Sequence, residues 1–185
     1  MKLNKLSILA IAVLASFLLT SCLTCEKKEY SIEFTGKGAG KFTIKYLNIM
    51  SKKDKEDLTA EDEAKADYQE ILEKYIGGDE VEKGFPDAKM VEKKLYEEDG
   101  KLCGKISFTF TDVSQVKVYK YDKDSPYQYY MSSLGSETYF SSNGSKSPDF
   151  FPVINWDKSA KVMTLTTTVN EPTKETTSLL SYWKK

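Results

Sequence analysis

The chain has 185 residues, with 27 basic and 28 acidic side chains and a net charge of −1 at pH 7. Every basic residue is lysine and there is no histidine. That removes Ser-His-Asp and Cys-His catalysis, histidine metal sites and the bidentate arginine reading of phosphate or guanine, so nucleic acid is not an expected partner and no cofactor is expected.

Lys2 and Lys5 precede an uncharged run from Leu6 to Leu19. The run is shorter than the ~20 apolar residues a membrane-spanning helix needs, and it fits the ~7–15-residue apolar core of a secretory signal. Leu19-Thr20-Ser21-Cys22 closes it, with two small residues suited to a peptidase cleft and then a thiol nucleophile. This run resembles the lipobox of bacterial lipoproteins. The resemblance implies cleavage before Cys22, acylation of Cys22 and the membrane as first partner; an ordinary secretory signal with a coincidental cysteine is the other reading. The processed chain keeps 25 lysines against 28 acids, a net charge of −3, with no strong electrostatic bias toward polyanions. By resemblance to enteric lipoproteins, Leu23 is not the aspartate that retains such proteins in the inner membrane. The expected location is the bacterial cell envelope, with the outer membrane favoured where one exists.

Residues 1–21 are accordingly read as signal peptide, 22–29 as a short lipidated tether and 30–185 as one domain, long enough to bury a core without staples. Tyr30, Ile32 and Phe34 alternate with polar residues, and Phe42, Ile44 and Tyr46 resume the alternation after a glycine-rich turn, which predicts a hairpin. Thr59-Ala60-Glu61-Asp62 resembles a capping box. Ala64, Tyr68, Ile71, Leu72 and Tyr75 behind it form the apolar stripe of a long amphipathic helix that Gly77-Gly78 ends. A second hairpin is predicted from Ala88–Tyr96 and Leu102–Phe110 around Asp99-Gly100. Val113–Tyr121 reads as extended. Phe151–Trp156 and Lys161–Val169 read as a final hairpin, and Asn170-Glu171-Pro172 as the opening of a short C-terminal helix through Trp183. The fold class expected is α+β: a mainly antiparallel sheet built from hairpins, one long helix packed on it and a short helix at the end. Both early hairpins carry the pattern G-K-x-x-G-K-Φ-x-Φ, from Gly36 and from Gly100. Related hairpins sharing a sheet, or convergent turn chemistry, explain it equally.

Candidate chemistry is sparse. Gly40-Lys41-Phe42 joins two strands and lacks the spacing of a phosphate loop. Asp122-Lys123-Asp124-Ser125 lacks the glycine and distant acid of a calcium loop and reads as a solvated turn, and the acids at 54–63 read as loop and helix start. Cys25 and Cys103 remain after acylation of Cys22. In an oxidising compartment their disulfide is chemically allowed, the alternative being two free thiols. Tyr127, Tyr129 and Tyr130 belong to the richest aromatic stretch. They read either as a surface for a lipid, glycan or envelope protein or as core residues mixed with singly exposed ones.

Asp99-Gly100-Lys101-Leu102-Cys103-Gly104-Lys105-Ile106-Ser107-Phe108-Thr109-Phe110, with the order hairpin, helix, hairpin, is similar to LppM-like envelope lipoprotein domains over roughly 30–118. The resemblance implies a β-rich envelope domain with an apolar cavity for lipid. It assigns no binding residues here, and the second membrane segment that such proteins can carry is not evident. The function expected is a non-catalytic binding or structural role for a membrane-anchored protein, the alternative being a hydrolase working through paired carboxylates.

Overall fold

The computed structural model describes residues 22–36, 38–148 and 152–184; the signal-peptide reading of 1–21 falls outside them. The first strand, β1, runs Leu23–Phe34 and pairs antiparallel with β2, Gly40–Lys52, in one register from Leu23 opposite Ser51 to Phe34 opposite Gly40. The expected tether is therefore part of the sheet. Its charged residues hid this, but Leu23 and Cys25 are buried and Lys27–Glu29 pair on both sides of the strand.

Among the described residues the single helix of substantial length, α1, spans Ala60–Glu70 and continues as a π-helical turn over Ile71–Ile76, 17 residues together. Thr59 Oγ1 caps it, accepting from the Asp62 amide at 3.1 Å. The Gly77 amide closes the wide turn by donating to the Leu72 carbonyl at 2.8 Å. The expected apolar stripe does not describe its inner face. Ala64 and Ile71 are buried and Tyr68 and Tyr75 half-buried, but Leu72 is exposed, and Glu63 and Asp67 take inward positions.

A one-turn helix, α2, Glu80–Lys83, leads to β3, Lys89–Glu98, and β4, Lys101–Phe110. Asp99 and Gly100 both have positive φ, 51° and 71°, as a two-residue type I′ turn requires. Val113–Val116 is a 3-10 turn, not the expected strand. Asp112 accepts from the Ser114 amide and its own amide donates to the Gln115 side chain, local bonds that compete with extension. There follow β5 (Tyr127–Tyr130), β6 (Thr138–Ser142), β7 (Ser145–Lys146), β8 (Val153–Trp156), β9 (Val162–Thr168), β10 (Thr176–Ser178) and the terminal turn α3 (Leu180–Trp183). The C-terminal helix is thus confined to one turn, and Pro172 lies outside it.

The result is an α+β fold dominated by antiparallel sheet. The main sheet has the order β3-β4-β2-β1-β9-β6, with β10 beside the end of β2, and a small sheet has the order β5-β8-β7. The two early hairpins share the main sheet through β2 and β4. The expected final hairpin does not form. β8 pairs with β5 and β7, whereas β9 pairs with β1 and β6, so Asp157–Lys161 is a crossover between sheets. Both strands bury apolar residues, and burial pattern alone does not choose a partner.

Two cores result. The larger lies between the sheets and includes Ile32, Phe42, Ile44, Ile106, Phe108, Met163, Leu165, Ile154 and Trp156. The smaller, of Leu23, Ala64, Ile71, Leu102 and Leu179, seats α1 and α3 at one end of the main sheet. Lys93 ties the end of the helical segment to β3, donating to the Gly78 carbonyl and to Glu82 at 2.8 Å.

Candidate functional site

A cavity lies along the seam between these two cores. One lobe of about 150 Å³ is lined by Phe42, Ile44, Phe85, Val116, Tyr129 and Leu134 among others. A second of about 120 Å³ is lined by Leu23, Ile49, Ile71, Ile76, Leu95 and Gly104. Lys28, Tyr46, Tyr75, Val81 and Ile106 border both, so the lobes adjoin. Gly104 keeps the second lobe open, since a Cβ there would sit 3.1 Å from Ile49 Cδ1. Phe85 roofs the first lobe, tilted on Phe108 at 4.7 Å and edge-on to Phe42 at 5.4 Å.

The polar anchor of the cavity is an ion pair. Lys28 Nζ donates to Glu137 Oε1 at 2.6 Å, with the side chains only 12 % and 8 % exposed. Glu137 Oε2 accepts from Tyr30 at 2.8 Å and from Thr167 at 2.6 Å. The carboxylate thus has three donors from two strands of the main sheet. Burial opposes the charge on Lys28, but the groups around it, Glu137 among them, outweigh it and hold the ammonium above its ordinary pKa. Burial pushes Tyr46 up to about 12 and Tyr129 higher still, so both phenols stay neutral. Lys28 shares the strand phase of Tyr30, Ile32 and Phe34, and that alternation was the signal in the sequence that could have found it. Glu137 precedes β6 in a connecting segment and carries no such signal.

Tyr127, Tyr129 and Tyr130, read either as a ligand surface or as core residues mixed with singly exposed ones, divide. Tyr129 lines the larger lobe. Tyr127 packs on Phe34 at 4.9 Å under Lys120. Tyr130 faces outward against Tyr119. The pleat of β5 puts Tyr130 on the face opposite Tyr127 and Tyr129, because successive residues point to opposite faces. Of the two readings of Cys25 and Cys103, a disulfide or two free thiols, the structure has the second: both are buried free thiols. Cys25 is on β1 and Cys103 on β4, with β2 between them. Two strand spacings of ~4.8 Å exceed the ~7 Å that a disulfide spans. Burial raises the Cys25 thiol to about 12.

Cys22 sits at the head of β1, and its carbonyl accepts from the Lys52 amide at 2.6 Å. Its sulfur lies 2.5 Å from Glu63 Oε1 and 3.1 Å from Asp54 Oδ1. Glu63 is fully buried on α1 and also accepts from the Asp54 amide. Asp67, 3 % exposed, stands one turn further along that face. The acids at 54–63 fall in the loop and helix start expected of them, and Glu63 in that first helical turn is an interior group. Asp122 does cap a turn, accepting from the Asp124 and Ser125 amides. Among the described residues no helix is long and apolar enough to cross a membrane.

No protein-family model, curated protein or solved structure matches this chain.

Proposed function

We propose that this chain is a lipid-anchored protein of the bacterial envelope whose domain binds a small amphipathic molecule in the seam cavity. The observation that carries the binding reading is a mainly apolar cavity with a satisfied polar anchor, Lys28–Glu137, at the junction of its lobes. Size limits the ligand. An apolar cavity of about 150 Å³ holds one benzene-sized ring, so the fit is a ring or a short alkyl segment bearing a hydroxyl, not a whole acyl chain. The neutral Tyr46 and Tyr129 phenols and the mutually neutralised ion pair favour an uncharged head group over an ion. An apolar cavity is also what resemblance to LppM-like domains implies.

The role is non-catalytic on this reading. Glu137 is engaged by three donors, and the other acid that lines this lobe, Glu80, forms an ion pair with Lys83. The lipobox-like Leu19-Thr20-Ser21-Cys22 supports anchoring at Cys22, which directly precedes β1. The anchor then meets the domain without a linker, and ligand exchange takes place next to the lipid surface.

Binding of 4-fluorophenol followed by ¹⁹F NMR tests the cavity. Saturable binding to the intact protein and its loss in Val81→Phe, which crowds both lobes, are expected. Binding that survives Val81→Phe, or no saturable binding at all, overturns the cavity reading. For the anchor, Cys22→Ala should release the protein from membranes or leave it unprocessed. A mutant that still fractionates with membrane at the mature mass overturns the lipobox reading.

A further inference from the structure

We infer that Lys117 is a nucleophile of the seam cavity that captures a small uncharged aldehyde as an imine. The inference rests on the cavity reading proposed above and names the ligand class that the larger lobe takes.

The lysines at the cavity are not alike. Lys28, Lys94, Lys105 and Lys117 line its two lobes. Lys28 is held by Glu137 at 2.6 Å, and Lys94 and Lys105 are both held by Glu92 at 2.8 Å. Among the described residues Lys117 forms no ion pair. Its ammonium meets an aromatic face instead, with Nζ 5.3 Å from the centre of the Phe85 ring that roofs the larger lobe. Glu137 and Glu80, the acids of that lobe, are already engaged by Lys28 and Lys83.

The backbone delivers this side chain from a fixed point. Lys117 ends the 3-10 turn Val113–Val116 in the left-handed region, with φ 62° and ψ 23°. Positive φ is uncommon outside glycine, and such a conformation persists where the surroundings enforce it. Here the Lys117 amide donates to the Ser114 carbonyl at 3.0 Å, and Val116 and Val118 on either side are 1 % and 0 % exposed. Both valines belong to the larger core, so the lysine stem starts from a rigid place beside the lobe.

These surroundings suit a neutral amine. A lysine desolvated among apolar groups binds its proton less tightly, which is how imine-forming lysines are activated. Burial lowers the Lys117 pKa, and no charged neighbour offsets it. The reaction is a condensation. The amine lone pair attacks the aldehyde carbon, the carbonyl π pair passes to oxygen, and a proton moves from nitrogen to that oxygen to give a carbinolamine. Departure of the hydroxyl with the remaining N–H proton releases one water and leaves a C=N bond. No oxidant or reductant takes part, and hydrolysis reverses the step, so Lys117 retains the ligand without turning it over. When the imine is protonated, the Phe85 face that carries the ammonium carries the iminium in its place. An aldehyde is uncharged, and one on a ring or short alkyl segment fits the lobe of about 150 Å³. A carboxylate would meet one ammonium and share the lobe with two acids.

The test exposes intact protein to limiting 4-hydroxybenzaldehyde with sodium cyanoborohydride, which reduces an imine to a stable secondary amine. Labelled lysines are mapped over time by peptide mass spectrometry. Lys117 should label at least about tenfold faster than the exposed Lys123, as a pKa one unit lower gives. Saturating 4-fluorophenol and, separately, Val81→Phe should bring Lys117 down to the Lys123 rate, because each takes up the space in the lobes. Phe85→Leu, which removes the aromatic face, should slow Lys117 by a smaller factor. Lys117 labelling no faster than Lys123, in protein that binds 4-fluorophenol, overturns this inference and leaves the cavity reading standing. Fast labelling that neither 4-fluorophenol nor Val81→Phe slows overturns it as well, since the lysine then reacts from outside the cavity. If benzoate displaces 4-fluorophenol and no Lys117 adduct forms, the lobe is a carboxylate site and the aldehyde assignment falls. Absence of 4-fluorophenol binding overturns the cavity reading and this inference with it.

Discussion

Six residues apart, Lys28 on β1 and Cys22 just before it each meet a buried carboxylate from another part of the chain, and the two encounters differ in one respect. Glu137 has its cation, held at 2.6 Å and backed by two hydroxyl donors. Glu63 has a thiol, a backbone amide and a neighbouring acid. The first arrangement is complete as folded and fixes one junction of the cavity. The second is bonded by no lysine among the described residues. Charge burial is tolerated where donors surround it and is costly where they do not. The contrast therefore separates a fully paired carboxylate from one held by a thiol and an amide.

The largest effect expected is at the complete pair. Lys28→Met leaves Glu137 charged and uncompensated and should cost about 3–5 kcal/mol by urea denaturation. Combined with Glu137→Gln, the loss should be clearly less than the sum of the two single losses, because the residues share one interaction. Strictly additive losses would mean that the pair does not act as a unit. Thr167→Val removes one of three donors with little change of shape and should cost about 1 kcal/mol in the same assay.

The incomplete site should respond with the opposite sign. Burial foremost, then Glu63 and Glu70, raises the Asp67 pKa above its ordinary value, despite the Ser51 hydrogen bond. A raised carboxyl pKa means that the folded state holds the proton more tightly than the unfolded state. The stability from that proton is fully present below the unfolded pKa of ~3.9 and is lost as pH rises through the folded value. Asp67→Asn should therefore raise the melting temperature at neutral pH by a few degrees and have little effect in strong acid. A melting temperature lowered at neutral pH would erase the distinction between the two sites. Smallest of all, Lys101→Ala removes an exposed ion pair with Glu26 and should stay within about 0.5 kcal/mol, which sets the scale of a surface charge in this fold.

Much of the fold was legible in residue order. Phe42, Ile44 and Tyr46 placed β2, Asp99-Gly100 placed the β3–β4 turn, and Thr59 and Gly77-Gly78 bounded α1. These are local signals, carried by alternation, turn conformation and capping. Two misreadings share a cause. Lys27, Lys28 and Glu29 look like tether because charge suggests solvent, yet strand pairing on both sides draws them into the sheet. Glu63 and Asp67 look like the wet face of a helix whose apolar stripe seemed complete, yet that face meets Cys22 and Ser51.

The sequence alone determined the lipobox-like start, the antiparallel character of the sheet and the exclusion of histidine and arginine chemistry, because each depends on residue type and near neighbours. Only tertiary structure decided that β8 and β9 part company into two sheets, that Cys25 and Cys103 stand either side of β2, and that Lys28 finds Glu137 across 109 positions of chain. Pairing between distant strands is selected by packing and burial across the whole sheet, and no local pattern encodes it. The cavity belongs to that second group, since it exists only where two separately built cores meet.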